Sequence, residues 1–393
     1  MAHLLVTITG HGFGHIAQTG PVLAALRQRC PDLRLTVVSS APEATLRQRL
    51  PEGFTLIPRA LDFGFVMADP FRIDIPASAA AYREFHADWD ARVAAAADWL
   101  RHLPGGVPAP DLVLSNVAYL PLAAAARAGI PAYAMSSLNW ADLFAATFAA
   151  PTEAAWAAPI HAQMRAAYRS ARAFLQLTPA MPMADLDRRI VVGPVARLGQ
   201  PRRDELAGLL GLHRGSDTAA SAAPARIVLA ALGGIALPTG PLRLAEWPQC
   251  PGWRWLVPQR WRETMTPAER AARPDIAAFE PLGWDFTDLL ASVDAVLGKP
   301  GYGTFAEAGC NGTPMLYARR PGWAEQDALI PWLAAHGRCR EIAEEQLFTG
   351  NVLADLAALW AKPAPPPPAP DGAAQAAAVL AETLADAGEP QGR

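Results

Sequence analysis

Short, almost uninterrupted apolar runs separated by helical stretches recur along most of the chain. Examples are HLLVTIT at residues 3–9, DLVLS at 111–115 and RIVLAAL at 226–232. A strand that is apolar on both faces has to be covered on both sides, as in the parallel sheets of α/β proteins. The pattern therefore predicts the α/β fold class, with parallel sheets covered by helices.

Length and a repeated opening predict two domains. The 393 residues correspond to two or three domains at roughly 150 residues each. Both halves begin with an apolar strand followed by a glycine-rich turn, at residues 10–14 and 231–234, which indicates two similar domains that face each other. Residues 190–199 contain a Gly-Pro pair and lack helical periodicity, as expected of an interdomain crossing. The predicted divisions are an N-terminal domain at 1–192, a linker at 193–200, a C-terminal domain at 201–362, and a Pro-rich segment with a C-terminal helix and tail at 363–393.

Composition excludes several classes of protein. The net formal charge is −3 and the sequence pI about 6.3, so the chain lacks the basic surplus of a general nucleic-acid binder. Its four cysteines form no CxxC pair, which argues against a structural zinc site and a disulfide framework and favours a reducing, cytoplasmic setting. Between Arg127 and Glu153 the only charge is Asp142, but Pro131 and Pro151 interrupt the stretch. We therefore expect a buried strand and a cleft loop there rather than a membrane span, with peripheral lipid contact left open.

The segment DAVLGKPGYGTFAEAG, at residues 294–309, has the layout of a phosphate-binding turn. A strand leads into Gly301 and Gly303, which let a ligand approach the backbone, and a helix is expected to begin at Thr304. Unpaired N–H groups at a helix N-terminus attract phosphate, and Lys299 would add positive charge. There are alternatives: Thr304 and Glu307 also fit a helix capping box, and a lone lysine is often a surface charge.

The same segment continues with a helix stop, a strand and two polar residues. GTP at residues 312–314 is expected to end the helix, and the strand MLY follows. Glu325 and Gln326 come at the end of the next loop. In a parallel sheet such loops share the carboxyl edge, where ligands bind. Taken alone, Glu325 and Gln326 favour a solvated loop.

Together, these residues resemble the nucleotide-sugar region of GT-B glycosyltransferases. The G-x-G-T-x-x-E-A pattern at 301–308 is similar to that of the lipid II N-acetylglucosaminyltransferase, monogalactosyldiacylglycerol synthase and UDP-glycosyltransferase group. TPMLYARRPGWAEQ at 313–326 resembles the end of the plant glucosyltransferase motif, and GKPGYGT at 298–304 is similar to the N-terminal half of plant arabinokinases. The resemblance implies the GT-B fold, with two Rossmann-like domains whose parallel sheets face a cleft.

The resemblance also implies roles for individual residues. Glu307 would hold both ribose hydroxyls of a nucleotide, since one carboxylate can accept two hydrogen bonds. Glu325 and Gln326 would hold hydroxyls of the donor sugar, and the backbone at Leu282 and Trp284 would contact the base. The diphosphate would meet a larger set of residues: Gly233, Gly234, Lys299, Gly301, Gly303 and Thr304.

The first glycine-rich turn, GHGFGH at residues 10–15, differs from the G-x-G-x-x-G dinucleotide motif. Gly12 and Gly14 again allow close backbone approach, and we expect them to contribute to donor binding. His15 fits the G-x-G-H position of the GT-B families, where an imidazole with a pKa of about 6.5 could deprotonate an acceptor hydroxyl, or donate to a diphosphate or sugar. Packing beneath the loop is the alternative role, and Asp142 is a rival base. No metal site is expected, because the two histidines of the turn lack an evident third ligand.

The resulting hypothesis is a glycosyltransferase of the hexosyl or N-acetylhexosaminyl class. It would move sugar from a nucleoside-diphosphate sugar, a UDP-sugar by resemblance, to an acceptor hydroxyl, with no metal or other cofactor and with inversion. Its partners would be the donor and an unidentified small-molecule, glycan or lipid acceptor, and no nucleic acid. The alternatives are a sugar-nucleotide 2-epimerase and a non-catalytic sugar-nucleotide-binding protein.

Overall fold

Two parallel sheets, one from each half of the chain, form the centre of the protein. The structure, a computed structural model, describes residues 2–150, 152–212, 225–235, 237 and 242–388, so residues 389–393 of the predicted tail lie outside it. The strands of the first sheet are β1 (His3–Ile8), β2 (Arg34–Ser39), β3 (Phe54–Pro58), β4 (Leu112–Asn116), β5 (Ala132–Ser136), β6 (Ala173–Thr178) and β7 (Arg189–Pro194). Those of the second sheet are β8 (Arg226–Ala231), β9 (Trp253–Val257), β10 (Ile276–Ala278), β11 (Ala295–Gly298), β12 (Met315–Tyr317) and β13 (Cys339–Glu341).

Helices cover both faces of these sheets. In the first half they are α1 (Phe13–Arg29), α2 (Glu43–Arg49), α3 (Ile75–Ala87), α4 (Trp89–Arg101), α5 (Leu120–Ala128), α6 (Trp140–Thr147) and α7 (Ala154–Ser170). In the second half they are α8 (Arg203–Leu209), α9 (Gln259–Arg262), α10 (Pro267–Ala272), α11 (Phe286–Ser292), α12 (Tyr302–Asn311), α13 (Gln326–His336), α14 (Glu344–Thr349), α15 (Leu353–Ala361) and α16 (Gly372–Gly388).

The strand order places a central strand of each sheet directly before a glycine-rich turn. The first sheet runs β3-β2-β1-β4-β5-β6-β7 and the second runs β10-β9-β8-β11-β12-β13, and every strand pairing is parallel. All six residues of β1 are buried, as its apolar run requires. Carboxyl ends of parallel strands share one edge, so the turns after β1, β8 and β11 lie where such sheets bind ligands. The predicted α/β class and the two parallel sheets are confirmed.

Two helices that lead into sheet strands each end at a glycine. α5 ends at Gly129 and α12 ends at Gly312, with φ angles of 74° and 70°. Glycine reaches this left-handed conformation without the clash that a Cβ would cause. The chain then enters β5 and β12, whose carboxyl ends lie at the same edges of the two sheets as the glycine-rich turns.

The end of the chain returns to the first sheet. α16 packs on α1 and β7, with Ala376, Ala377 and Leu380 fully buried. The Gly193 N–H donates to Gln375 Oε1 at 2.7 Å. β7 contains Gly193 and Pro194, which the sequence assigns to the linker, so the first sheet extends to the start of that predicted segment. We call the seven-stranded sheet with its helices the first lobe and the six-stranded sheet with its helices the second lobe. The first lobe is thus completed by a helix from the far end of the chain.

None of the described helices combines the length and the apolarity needed to cross a bilayer.

Candidate functional site

The N-termini of α1 and α12 meet between the two sheets. α1 follows Gly12 and α12 follows Gly301. A Cβ added to Gly303 would lie 3.2 Å from Ala17 Cβ and 3.7 Å from Gly14 Cα, so the first turns of the two helices are in direct contact. Both helices direct their unpaired N–H groups and partial positive charge toward the same region, which favours an anionic ligand.

The start of α12 differs from the sequence prediction. The helix begins at Tyr302 rather than Thr304, and its N-cap residue is Gly301, with no side-chain capping bond. Thr304 and Glu307 therefore lie within the helix and do not form the capping box that the S/T-x-x-E spacing allowed.

Glycines leave backbone open on three turns of the cleft. Apart from the adjoining residues of the same turn or helix, no described heavy atom lies within 4 Å of a Cβ built on Gly12, Gly14, Gly233 or Gly301. A Cβ on Gly234 would instead approach the Phe13 ring to 3.0 Å, so the turn after β8 faces the start of α1. The three glycine-rich turns thus surround one space, where a ligand can approach the peptide backbone.

His15 lies beneath the first of these turns. Its Nδ1 is 2.8 Å from Asn116 Oδ1 at the end of β4, and its ring centroid is 5.7 Å from that of Trp140. Burial lowers the pKa of His15 to about 4, against an opposing contribution from the Asn116 hydrogen bond. The imidazole is therefore neutral at neutral pH, the form that can accept a proton.

A buried aromatic cluster surrounds the neighbouring His11. Its ring stacks on Trp323 from the second lobe at 5.7 Å and meets the edge of Trp140 at 5.2 Å. Burial lowers the pKa of His11 to about 3. The Trp140 indole donates to Asp62 Oδ2 at 2.8 Å, and burial raises the pKa of Asp62 to about 6. The motifs did not select Asp62, since its loop comes close to His11 only in the folded chain.

Two cationic side chains of the second lobe face the same region. Burial and the charge of Arg320 lower the pKa of Lys299 well below its usual value. Arg320 lies over the Trp323 ring at 3.6 Å, and its buried Nε has no hydrogen-bond partner among the described residues. Burial lowers the pKa of Arg320 to about 10. Lys299 is thus part of a cationic pair at the cleft, and Arg320 is a site residue that the sequence patterns missed.

Glu325 and Gln326 are buried, which contradicts the solvated-loop alternative. Glu325 Oε1 accepts from Ser137 Oγ at 2.7 Å, across the lobes, and Oε2 accepts from Trp323 Nε1 at 2.9 Å. The Gln326 amide pairs with both the N–H and the carbonyl of Arg320, at 2.9 and 2.7 Å. Gln326 therefore shapes the loop that carries Arg320, and Glu325 connects that loop to the first lobe.

Glu307 is buried on α12 and faces the first lobe. Its Oε1 is 4.0 Å from Arg49 Nη1, at the end of α2. Burial raises the pKa of Glu307 to about 7, and the charges of Arg49 and Arg197 oppose this rise. With this pKa, the buried carboxyl group is present in both its charged and its neutral form near pH 7. Its oxygens can accept hydrogen bonds from the hydroxyl groups of a ligand.

Two further predicted regions have contacts of their own. Leu282 and Trp284 flank Gly283 in a short turn between β10 and α11, and the Arg202 guanidinium covers one face of the Trp284 ring at 3.9 Å. Asp142 lies on α6, where its N–H is capped by Asn139 and its neighbouring charges are Asp185, His161 and Arg165. His161 and Arg165 lie on α7 and Asp185 lies between β6 and β7, and no contact between Asp142 and His15 is found among the described residues.

No group of three or more His, Cys, Asp or Glu side chains in the described part of the chain is arranged to hold a metal ion.

This arrangement defines the GT-B glycosyltransferase fold, with two facing α/β lobes and glycine-rich turns at their shared cleft. The glycosyltransferase of kitacinnamycin matches over 98% of this chain and 95% of its own, with TM-score 0.57 and 17% identity. CalG4, the calicheamicin glycosyltransferase, matches over 99% and 96%, with TM-score 0.54 and 15% identity. Arabidopsis thaliana UGT89C1, solved with UDP-L-rhamnose, matches over 97% and 93%, with TM-score 0.55 and 14% identity.

One curated protein is related in sequence as well. L-arabinokinase of Arabidopsis thaliana is 28% identical over 351 residues, which are 88% of this chain and 31% of that protein. The chain therefore spans about a third of the length of this relative. No family model matches the chain.

Proposed function

We propose that the protein transfers a sugar from a UDP-sugar to the hydroxyl group of an acceptor. The observation that carries this proposal is the meeting of the α1 and α12 N-termini around one space, with the neutral His15 beside it. The fold supports it, since structural neighbours are glycosyltransferases and UGT89C1 was solved with UDP-L-rhamnose.

The donor would lie against the second lobe. Its diphosphate would bind the backbone of Gly12, Gly14, Gly233, Gly234, Gly301, Gly303 and Thr304. Lys299 would add positive charge there, because a bound anion favours the charged form that burial and Arg320 disfavour in the empty cleft. Glu307 would accept the ribose hydroxyls, Leu282 and Trp284 would contact the base, and Glu325 and Gln326 would orient the sugar. Helix N-termini and fixed backbone N–H groups need no reorganisation as charge grows on a leaving diphosphate, which is why this placement would accelerate the reaction.

The chemical step would be a single displacement with inversion and without a metal. His15 Nε2 takes the proton of the acceptor hydroxyl while the acceptor oxygen forms a bond to the anomeric carbon. The bond from that carbon to the diphosphate oxygen breaks, and its electron pair leaves with UDP. Positioned proton transfer of this kind contributes about 10²–10⁴-fold to a rate. The acceptor would enter past the His11 cluster.

The test of this function is nucleotide binding followed by turnover. UDP affinity is measured by calorimetry for the wild type, for Glu307→Ala and for Glu43→Gln, whose exposed carboxylate pairs only with Arg47 among the described residues. Loss of the ribose contact should weaken UDP binding in Glu307→Ala alone. Unchanged affinity in Glu307→Ala would contradict the assignment of Glu307. A UDP-sugar that is bound but epimerised without an acceptor would favour the 2-epimerase, and one bound without any turnover would favour a binding protein.

A further inference from the structure

A continuous line of hydrogen bonds joins the two lobes beneath the cleft. His15 Nδ1 is 2.8 Å from Asn116 Oδ1, and Asn116 Nδ2 donates to Gln18 Oε1 at 3.0 Å. Gln18 Nε2 donates to Ser137 Oγ at 2.8 Å, and Ser137 Oγ donates to Glu325 Oε1 at 2.7 Å. We name this series, from His15 through Asn116, Gln18 and Ser137 to Glu325, the relay.

Glu325 fixes the direction of every bond in the relay. A carboxylate only accepts hydrogen bonds, so the Ser137 hydroxyl has to donate to it. The Ser137 oxygen then accepts from the Gln18 NH₂ group, which leaves the Gln18 oxygen to accept from the Asn116 NH₂ group. Asn116 is thereby left with its oxygen toward His15.

Asn116 alone could not determine which ring nitrogen of His15 carries the proton. An amide can turn over and present either its oxygen or its NH₂ group to a histidine ring, so it accommodates both tautomers. The Ser136 hydroxyl, 3.2 Å from Gln18 Oε1, can donate or accept and therefore permits both directions. Gln18, Asn116, Ser137 and Glu325 are each at most 3% exposed, so bulk water is not available to replace a mismatched partner.

We propose that Glu325, from the second lobe, is a positioning residue that selects the tautomer of His15 in the first lobe. Because the Asn116 oxygen faces it, His15 carries its proton on Nδ1 and keeps Nε2 free to accept. No hydrogen bond to Nε2 is found within the described residues, so this nitrogen is left for a ligand. Its use as a base rests on the proposed glycosyl transfer, whereas the choice of tautomer does not.

The isosteric variant Glu325→Gln tests the inference sharply. The Trp323 indole N–H can only donate, so it should take the oxygen of the new amide and leave the NH₂ group facing Ser137. Ser137, Gln18 and Asn116 would then all reverse, and the proton of His15 would move to Nε2. The tautomer is measured by ¹⁵N NMR of ligand-free, histidine-labelled protein, with the His15 signal assigned from its loss in His15→Gln.

Two further variants complete the test. Glu344→Gln removes the interlobe ion pair with Arg72, 2.6 Å long and outside the relay, and should leave the proton on Nδ1. Ser137→Ala interrupts the relay without introducing an amide, and should give both His15 tautomers even if Glu325→Gln fails to fold. A proton that stays on Nδ1 in both Glu325→Gln and Ser137→Ala would overturn the inference.

Activity separates the inference from the proposed function. If the tautomer reverses in a protein that transfers no sugar from any donor, the relay is supported and the proposed function fails. If sugar is transferred and the tautomer never changes, the function stands and the relay is overturned.

Discussion

At His15, burial and hydrogen bonding act on protonation in opposite directions, and burial dominates. Removing the ring from water disfavours the imidazolium, while Asn116, a neutral partner, offsets only part of this effect. Glu307 follows the same rule with the opposite sign, because burial disfavours its charged form and raises its pKa. Both residues therefore respond to pH differently from their exposed counterparts.

The pH profile of sugar transfer should reflect the lowered pKa of His15. The neutral imidazole is the reactive form, so kcat measured at saturating donor, where protonation of Glu307 no longer limits binding, should stay level as the pH falls past 6.5 and decline only near pH 4. His15→Gln should lower kcat by about 10²–10⁴-fold at all these pH values. The matched control is His102→Gln, at an exposed histidine that ends α4, and it should have no effect. An acidic limb centred near pH 6.5 would contradict the assignment of His15 as the base.

The free energy of unfolding should depend on pH because of the raised pKa of Glu307. Its pKa is raised from 4.5 to about 7, so between these values the folded chain holds a proton that the unfolded chain has lost. Stability is therefore lost as the pH rises through this window, by a few kcal/mol at most. Glu307→Gln, which carries no charge, should be more stable than the wild type to urea at pH 8 and should lose this advantage near pH 4.5. Equal differences at both pH values would show that the carboxyl group is not the cause.

At the scale of elements, the sequence predicted best where an element's own residues decide its structure. The apolar runs of β1, β8 and β11 and the glycines before α12 suffice to place the glycine-rich turns. β7 and β13 are edge strands with several exposed residues, and only their neighbours make them strands. The relay was invisible for the same reason, since Gln18 and Ser137 are 119 positions apart and meet only after folding.

The docking of α16 on the first lobe can be tested by replacing a glycine at the contact and, as a control, a glycine away from it. A Cβ on Gly372 would lie 1.9 Å from the Gly193 carbonyl oxygen, a backbone atom that cannot move aside. Gly372→Ala should therefore cost about 1–3 kcal/mol of stability, as overpacking usually does. A Cβ on Gly208, on α8, would meet no described atom within 4 Å apart from its own helix and chain neighbours, so Gly208→Ala should be neutral or stabilise by about 0.5–1 kcal/mol. Chemical denaturation measures both, and equal effects would contradict the docking.

At the scale of the whole molecule, the two lobes are joined by buried contacts and not only by the chain. The Tyr302 hydroxyl at the start of α12 accepts from the Val195 N–H at 2.9 Å and donates to the Thr178 carbonyl at 3.0 Å. The relay adds a second buried connection through Glu325. Both connections lie beside the glycine-rich turns, so the position of one lobe against the other sets the geometry of the cleft.

A crystal structure with UDP is the most direct measurement of whether the two helix N-termini enclose a diphosphate. We predict diphosphate oxygens within hydrogen-bond distance of the backbone N–H groups of residues 302–304, and ribose hydroxyls hydrogen-bonded to Glu307. His15 Nε2 should face the β-phosphate from the first lobe. UDP bound elsewhere, or held by side chains with the turn at Gly301–Gly303 untouched, would contradict the account.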